Sequence, residues 1–141
     1  MNYVFDTSAM IEFLHGRSYR VAELFQQAKR GECQIYLSFM TLFELTYQAR
    51  LPPKQPEKDS VKKSEAREFA ALKLLQDLKS LPFTVFEETE SLRWNAANFK
   101  AIGGLSPADA YILATTQSLN ATLVHQDAEY RKFREVLQEE I

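Results

Sequence analysis

The chain has a single cysteine, Cys33, so no internal disulfide can form and a cysteine-rich zinc site is excluded. Glycine is scarce, four residues in all, and nowhere builds a glycine-rich loop followed by lysine, which removes P-loop nucleotide enzymes. No stretch approaches the roughly 20 apolar residues that span a bilayer, and Asp6 interrupts the apolar run a leader peptide would need. The expected location is therefore cytoplasmic. An excess of basic charge is also missing. A net charge of -2 gives no global field that attracts nucleic acid, which argues against tight non-specific DNA binding. It leaves room for an acidic, cation-holding site served by a local basic patch.

What is present is a globular composition. Of 141 residues 45% are hydrophobic, with 10 phenylalanines, enough for one domain around a sizeable core. Four short runs rich in branched or aromatic residues read as buried strands: Tyr3–Phe5, Ile35–Leu37, Phe83–Phe86 and Thr122–Val124. They are continuous rather than alternating, as in a parallel sheet covered on both faces. Helical patterns lie between them. Val21, Leu24, Phe25 and Ala28 form one apolar face, stopped by Gly31. A second helix is expected from about Thr41 to Arg50, ending before Pro52 and Pro53. The charged, proline-rich stretch at about 52–64 reads as a loop or protrusion. Further helices are expected through Phe69, Leu72, Leu75 and Leu78, over Glu90–Ala101, and from Ser106-Pro107 to about Leu119. The tail continues as helix or adds a short fifth strand. The fold class is α/β, an α/β/α sandwich with a central, mostly parallel sheet of four to five strands.

Such sheets carry their chemistry at the carboxyl ends of their strands. Asp6 follows the first strand and Asp127 the fourth. Glu44 sits in TLFELTY, a mostly apolar helix with no basic residue one turn away. Asp109 opens a helix whose next turns are nearly uncharged. Each acid also has a structural explanation. Asp6 and Asp127 could cap helices, and Asp109 stands three residues after Ser106, the spacing of a capping box. Together, however, four acids at one sheet edge would repel one another, and a divalent cation removes that repulsion. Mg²⁺ and Mn²⁺ prefer oxygen ligands, and such a pocket suits phosphodiester hydrolysis.

The stretches VFDTSAMIEFL, FMTLFEL, GGLSPADAYILATT and LVHQDAEYRKF, in this order, resemble the PIN-domain ribonucleases, and within them the VapC-type toxins of type II toxin–antitoxin systems. The resemblance covers nearly the whole chain, 1–141, as one domain. It implies that Asp6, Glu44, Asp109 and Asp127 are the catalytic and metal-binding acids, with Thr7 and Ser8 beside the first. It also implies Mg²⁺- or Mn²⁺-dependent cleavage of RNA, a homodimer, and inhibition by a VapB-like antitoxin. One departure is His125, where the family has Thr or Ser two residues before the fourth acid; an imidazole there binds water or an acid, ligates Mn²⁺, or fills space. Arg17, Arg20, Lys54, Lys62 and Lys63, with Lys58 and Arg67, are candidates for RNA backbone contact, with a solvated charged face as the plainer explanation. Trp94 and Phe99 are expected in the core or at a dimer interface. A haloacid-dehalogenase-type phosphatase would need an acid where Ser8 stands. The serious rival is a non-catalytic PIN scaffold that binds RNA or protein, and relatives of that kind typically lack site acids.

Overall fold

A computed structural model describes residues 1–51, 60–126, 130, 133 and 138–140. Strand β1 (Asn2–Phe5) is followed by α1 (Thr7–Leu14) and α2 (Tyr19–Lys29), then by β2 (Gln34–Ser38) with α3 (Phe39–Arg50) and α4 (Val61–Leu78). Strand β3 (Thr84–Phe86) leads into α5 (Glu90–Gly103) and α6 (Pro107–Ser118), and β4 (Thr122–Val124) and β5 (Gln138–Glu140) complete the sheet. The strands are in the order β3-β2-β1-β4-β5, and every neighbouring pair is parallel. The tail thus supplies the fifth strand.

Each of these helices begins with a side-chain cap. Asp6, Ser18, Ser38, Ser60, Thr89 and Ser106 each accept a hydrogen bond from a backbone N–H two or three residues ahead, worth about 1 kcal/mol apiece. Glycine ends α5: Gly104 adopts the left-handed conformation at φ 66°. Ser60 corrects the expected extent of the proline-rich loop. Its Oγ accepts from the Lys63 N–H at 3.1 Å, so the chain is helical from Val61 and Lys62 and Lys63 lie on a helix turn. Residues 52–59, with Lys54 and Lys58, fall outside the described residues. Helix α3 likewise starts earlier than expected, at Phe39, because Ser38 ends β2 and caps the helix at once.

The continuous apolar strands are buried on both faces. Tyr3, Phe5, Ile35, Leu37 and Val124 pack against Met10, Val21, Leu24, Phe25 and Leu45 on one side. Val4 and Leu123 pack against Leu92, Leu105, Ile112 and Leu113 on the other. Trp94 belongs to neither layer: it is 70% exposed, which corrects the core alternative for it, while half-buried Phe99 meets Phe133 edge to face. Among the described residues no helix is long and apolar enough to cross a membrane.

This strand order sets the position of the site. The chain builds outward from β1 through β2 to β3, then returns to lay β4 on the other side of β1. The crevice of such a sheet opens at that reversal, beyond the carboxyl ends of β1 and β4. Asp6 is the first residue after β1, and His125 the first after β4.

Candidate active site

Asp6 is held where two strands end. Its N–H donates to the Val124 carbonyl at 3.2 Å, continuing the β1–β4 pairing by one residue. Its carboxylate caps α1, with Oδ1 accepting from the Ala9 N–H and from the Ser8 hydroxyl, both at 2.8 Å. The Ser8 hydroxyl oxygen in turn accepts from the Gln126 N–H at 3.3 Å, which ties the loop after β4 to the same carboxylate. Asp6 is a helix cap, yet it is only 3% exposed. Burial pushes its carboxyl up from 3.8 to about 6 against the Ala9 and Ser8 hydrogen bonds and the nearby His125, and the negative charge of Asp109 adds to the rise.

Glu44 arrives from α3 and Asp109 from α6. The Thr7 hydroxyl donates to Glu44 Oε1 at 2.6 Å, linking the first turn of α1 to the middle of α3. Thr41, one turn before Glu44, is fully buried, and its Oγ1 has no hydrogen-bond partner among the described residues. Asp109 donates its N–H to Ser106 Oγ at 3.2 Å, the first half of a capping box. The second half is absent: Asp109 Oδ1 instead accepts from the Tyr130 hydroxyl at 2.9 Å. Tyr130 is fully buried, and its ring meets that of His125 edge to face at 4.8 Å. His125 is itself 1% exposed and belongs to the wall behind the site.

A pattern emerges from these contacts. Asp6, Glu44 and Asp109 each accept a hydrogen bond from a neutral hydroxyl (Ser8, Thr7 and Tyr130), and among the described residues none is paired with Lys or Arg. Other acids on the same molecule behave differently. Glu12, Glu32 and Glu88 bind Arg17, Arg30 and Arg93 at 2.7–2.9 Å, and these bonds draw their carboxyls below the ordinary range, with the Tyr111 hydroxyl the larger influence on Glu88. The three site acids are oriented but not neutralised, and all their donors are hard oxygens of the kind Mg²⁺ and Mn²⁺ accept. Among the described residues, no three His, Cys, Asp or Glu side chains stand close enough to enclose an ion. Asp127 lies outside the described residues.

The candidate RNA contacts are not gathered at this edge. Arg17 is held by both oxygens of Glu12, at 2.9 and 2.7 Å, and Arg20 lies 3.4 Å from Glu23. Both pairs are exposed, and exposed pairs are weak enough to exchange for a phosphate. Tyr130 carries little signal in the sequence: it is one of six tyrosines, three residues past Asp127. Cys33 is buried, with Sγ 3.6 Å from the Leu24 carbonyl oxygen, a filler as its position beside β2 suggests.

The PIN domain family matches residues 3–136 of the chain. No curated protein sequence matches it. Solved structures with the same fold include DNA-bound VapBC from Salmonella typhimurium, with 18% identity, 99% of this chain and 97% of that chain covered, and a TM-score of 0.68. VapBC2 from Rickettsia felis bound to a promoter DNA fragment has 18% identity, coverage of 99% and 98%, and a TM-score of 0.66. VapBC-5 from Mycobacterium tuberculosis, a member of the VapBC family of toxin–antitoxin systems, has 16% identity, coverage of 99% and 96%, and a TM-score of 0.56. At these identities the likeness is one of fold.

Proposed function

The chain belongs to the PIN-domain family, and from that premise we propose that it is a metal-dependent endoribonuclease of the VapC toxin kind, hydrolysing RNA phosphodiester bonds. We read residues 1–141 as one such domain, acting in the cytoplasm. The observation that carries the proposal is the set of three acids, Asp6, Glu44 and Asp109, each oriented by a hydroxyl and none matched by a basic side chain among the described residues. An acid left buried without a cation is costly, and the raised carboxyl of Asp6 expresses that cost.

Asp6, Glu44 and Asp109 would hold Mg²⁺ or Mn²⁺, with Asp127 as the fourth acid. An open site fits Mg²⁺, which commonly takes one or two carboxylates and completes its shell with water and substrate phosphate. When bound, the ion supplies Lewis acidity and lowers the pKa of a water. The protein's own part is to orient and to move a proton. Ser8 and Thr7 keep Asp6 and Glu44 turned toward the crevice at the end of β1. Glu44 or Asp109 accepts the proton of the attacking water. His125 stands behind Asp6 and favours its charged form. Cleavage leaves 5′-phosphate and 3′-hydroxyl ends. The solved neighbours are toxin–antitoxin complexes, which supports a VapB-like antitoxin as partner, and we propose a homodimer as the working unit.

A second reading is a PIN scaffold that binds RNA or protein without cutting. The observation in its favour is that no three ligating side chains among the described residues stand together. One assay separates the two: a pool of short labelled RNAs with wild type and Asp6→Asn, each in Mg²⁺, Mn²⁺ or EDTA, using protein freed of any co-purifying partner. Metal-dependent cleavage that disappears in the variant supports the nuclease. RNA binding without cleavage under either metal supports the scaffold. Cleavage that survives EDTA or the substitution removes the metal mechanism.

A further inference from the structure

We infer that Tyr130 is a positioning residue for Asp109, a role that rests on the nuclease reading above. Its hydroxyl donates to Asp109 Oδ1 at 2.9 Å across 21 residues of sequence. The ring has little freedom to move. It is fully buried in the core layer built from Leu92, Leu105, Ile112 and Leu113, and it meets His125 edge to face. Phe133, one turn further on, anchors the same segment by packing on Phe99. A tyrosine so enclosed presents its hydroxyl at one point and, with only two side-chain torsions, at small entropic cost.

The bond has a consequence for the carboxylate. A first-turn aspartate three residues after a serine cap would ordinarily turn back to the cap's own N–H and close the capping box. Here Tyr130 takes Oδ1 instead and sets the rotation of the group away from its own helix. The donor is neutral, so Asp109 is aimed without losing the charge a cation needs, in contrast to Glu88, which is matched by Arg93. Outer contacts of this kind fix ligand direction, and their removal typically costs 10- to 100-fold in metal affinity or activity. Each of the three described site acids thus has its own hydroxyl. The Tyr130 contact is the one that draws on the segment after β4, so the direction of Asp109 depends on that segment being folded.

The test is Tyr130→Phe, which keeps the ring and removes only the hydroxyl. Mn²⁺ affinity is measured by calorimetric titration of the partner-free protein, beside kcat and KM for RNA cleavage and the Tm. The expected result is Mn²⁺ binding about 10-fold weaker, kcat lowered by a similar factor, KM for RNA unchanged and little change in Tm. If wild type binds Mn²⁺ and cuts RNA, Asp109→Asn does neither well, and Tyr130→Phe equals wild type in both, Tyr130 is only a packing residue and the nuclease reading stands without it. If wild type neither binds Mn²⁺ nor cuts, the nuclease reading fails and this role falls with it. Should Tyr130→Phe be destabilised, Phe133→Leu provides the comparison, since it loosens the same segment with no hydroxyl involved. Mn²⁺ affinity weakened only as much as in Phe133→Leu at the same Tm overturns the proposal.

Discussion

Asp6 is where the physics of a single residue is clearest. It caps α1 and is nearly buried beside Asp109, so burial and like charge hold its carboxyl at about 6 rather than 3.8. The folded state of metal-free protein therefore binds this proton more tightly than the unfolded chain does. The associated stability is complete below pH 3.8, falls as pH rises through 6, and is gone above it, a change of roughly 3 kcal/mol. Asn at this position keeps an oxygen for Ala9 and Ser8 but has no charge to bury. Asp6→Asn is thus expected to raise the Tm of metal-free protein by several degrees at pH 7.5 and to leave it nearly unchanged at pH 4, as thermal unfolding in EDTA would register. Saturating Mg²⁺ should narrow or reverse the gap by stabilising wild type alone. A second residue-scale prediction concerns Thr7. Thr7→Val removes the 2.6 Å bond to Glu44 and is expected to weaken Mn²⁺ binding and cleavage about 10-fold, with the protein still folded by circular dichroism. The acids were legible in the sequence because a carboxylate in an apolar run is unusual. Their hydroxyl partners were only partly so: Ser8 and Thr7 stand beside Asp6 in the chain, whereas Tyr130 meets Asp109 only through the fold.

At the scale of elements, caps and stops do most of the punctuation. Ser106 holds the first turn of α6, on which Asp109 rides. Ser106→Ala is expected to cost about 1 kcal/mol, seen as a lower urea midpoint, and to lower cleavage more than that loss alone explains. Gly103 in the last turn of α5 is a different case. A Cβ there would come within 2.5 Å of Phe133 Cζ, so the ring would have to shift. Gly103→Ala gains about 1 kcal/mol of helix propensity, yet overpacking of 1–3 kcal/mol should leave the protein less stable in urea. Strands and helices matched their sequence patterns where periodicity was strong, as in the Val21, Leu24 and Phe25 face of α2. The mismatches arose where a serine cap competes with a polar context. Ser60 and Ser38 start helices several residues before the first regular apolar spacing, and Trp94 has helical spacing without burial, because period alone does not say which side of a helix meets the sheet.

For the whole molecule, the ordering of strands matters more than their number. Placing β4 beside β1 brings residues more than a hundred positions apart to one edge, as in the Gln126 contact with Ser8. The surface also leaves Phe43 and Tyr47 of α3 exposed and stacked at 6.3 Å, with Phe69 and Leu72 exposed on α4. Exposed apolar residues in such numbers accompany association, in keeping with the proposed dimer. Light scattering on partner-free protein is expected to return twice the chain mass; a strict monomer at micromolar concentration would count against the dimer.

Read alone, the sequence determined the α/β class, the approximate strands and the set of acids, because continuous apolar runs, helical periodicity and carboxylates out of place are local facts. It also determined that Asp6 and Glu44 each lie close in the chain to an element junction. Only the tertiary structure decided which donor each acid meets, that Asp6 is buried enough to resist ionisation, and that Asp109 turns to Tyr130 rather than to its own helix cap. The reason is that burial and long-range hydrogen bonds depend on strand order and on the packing of side chains far apart in sequence, which no local pattern encodes.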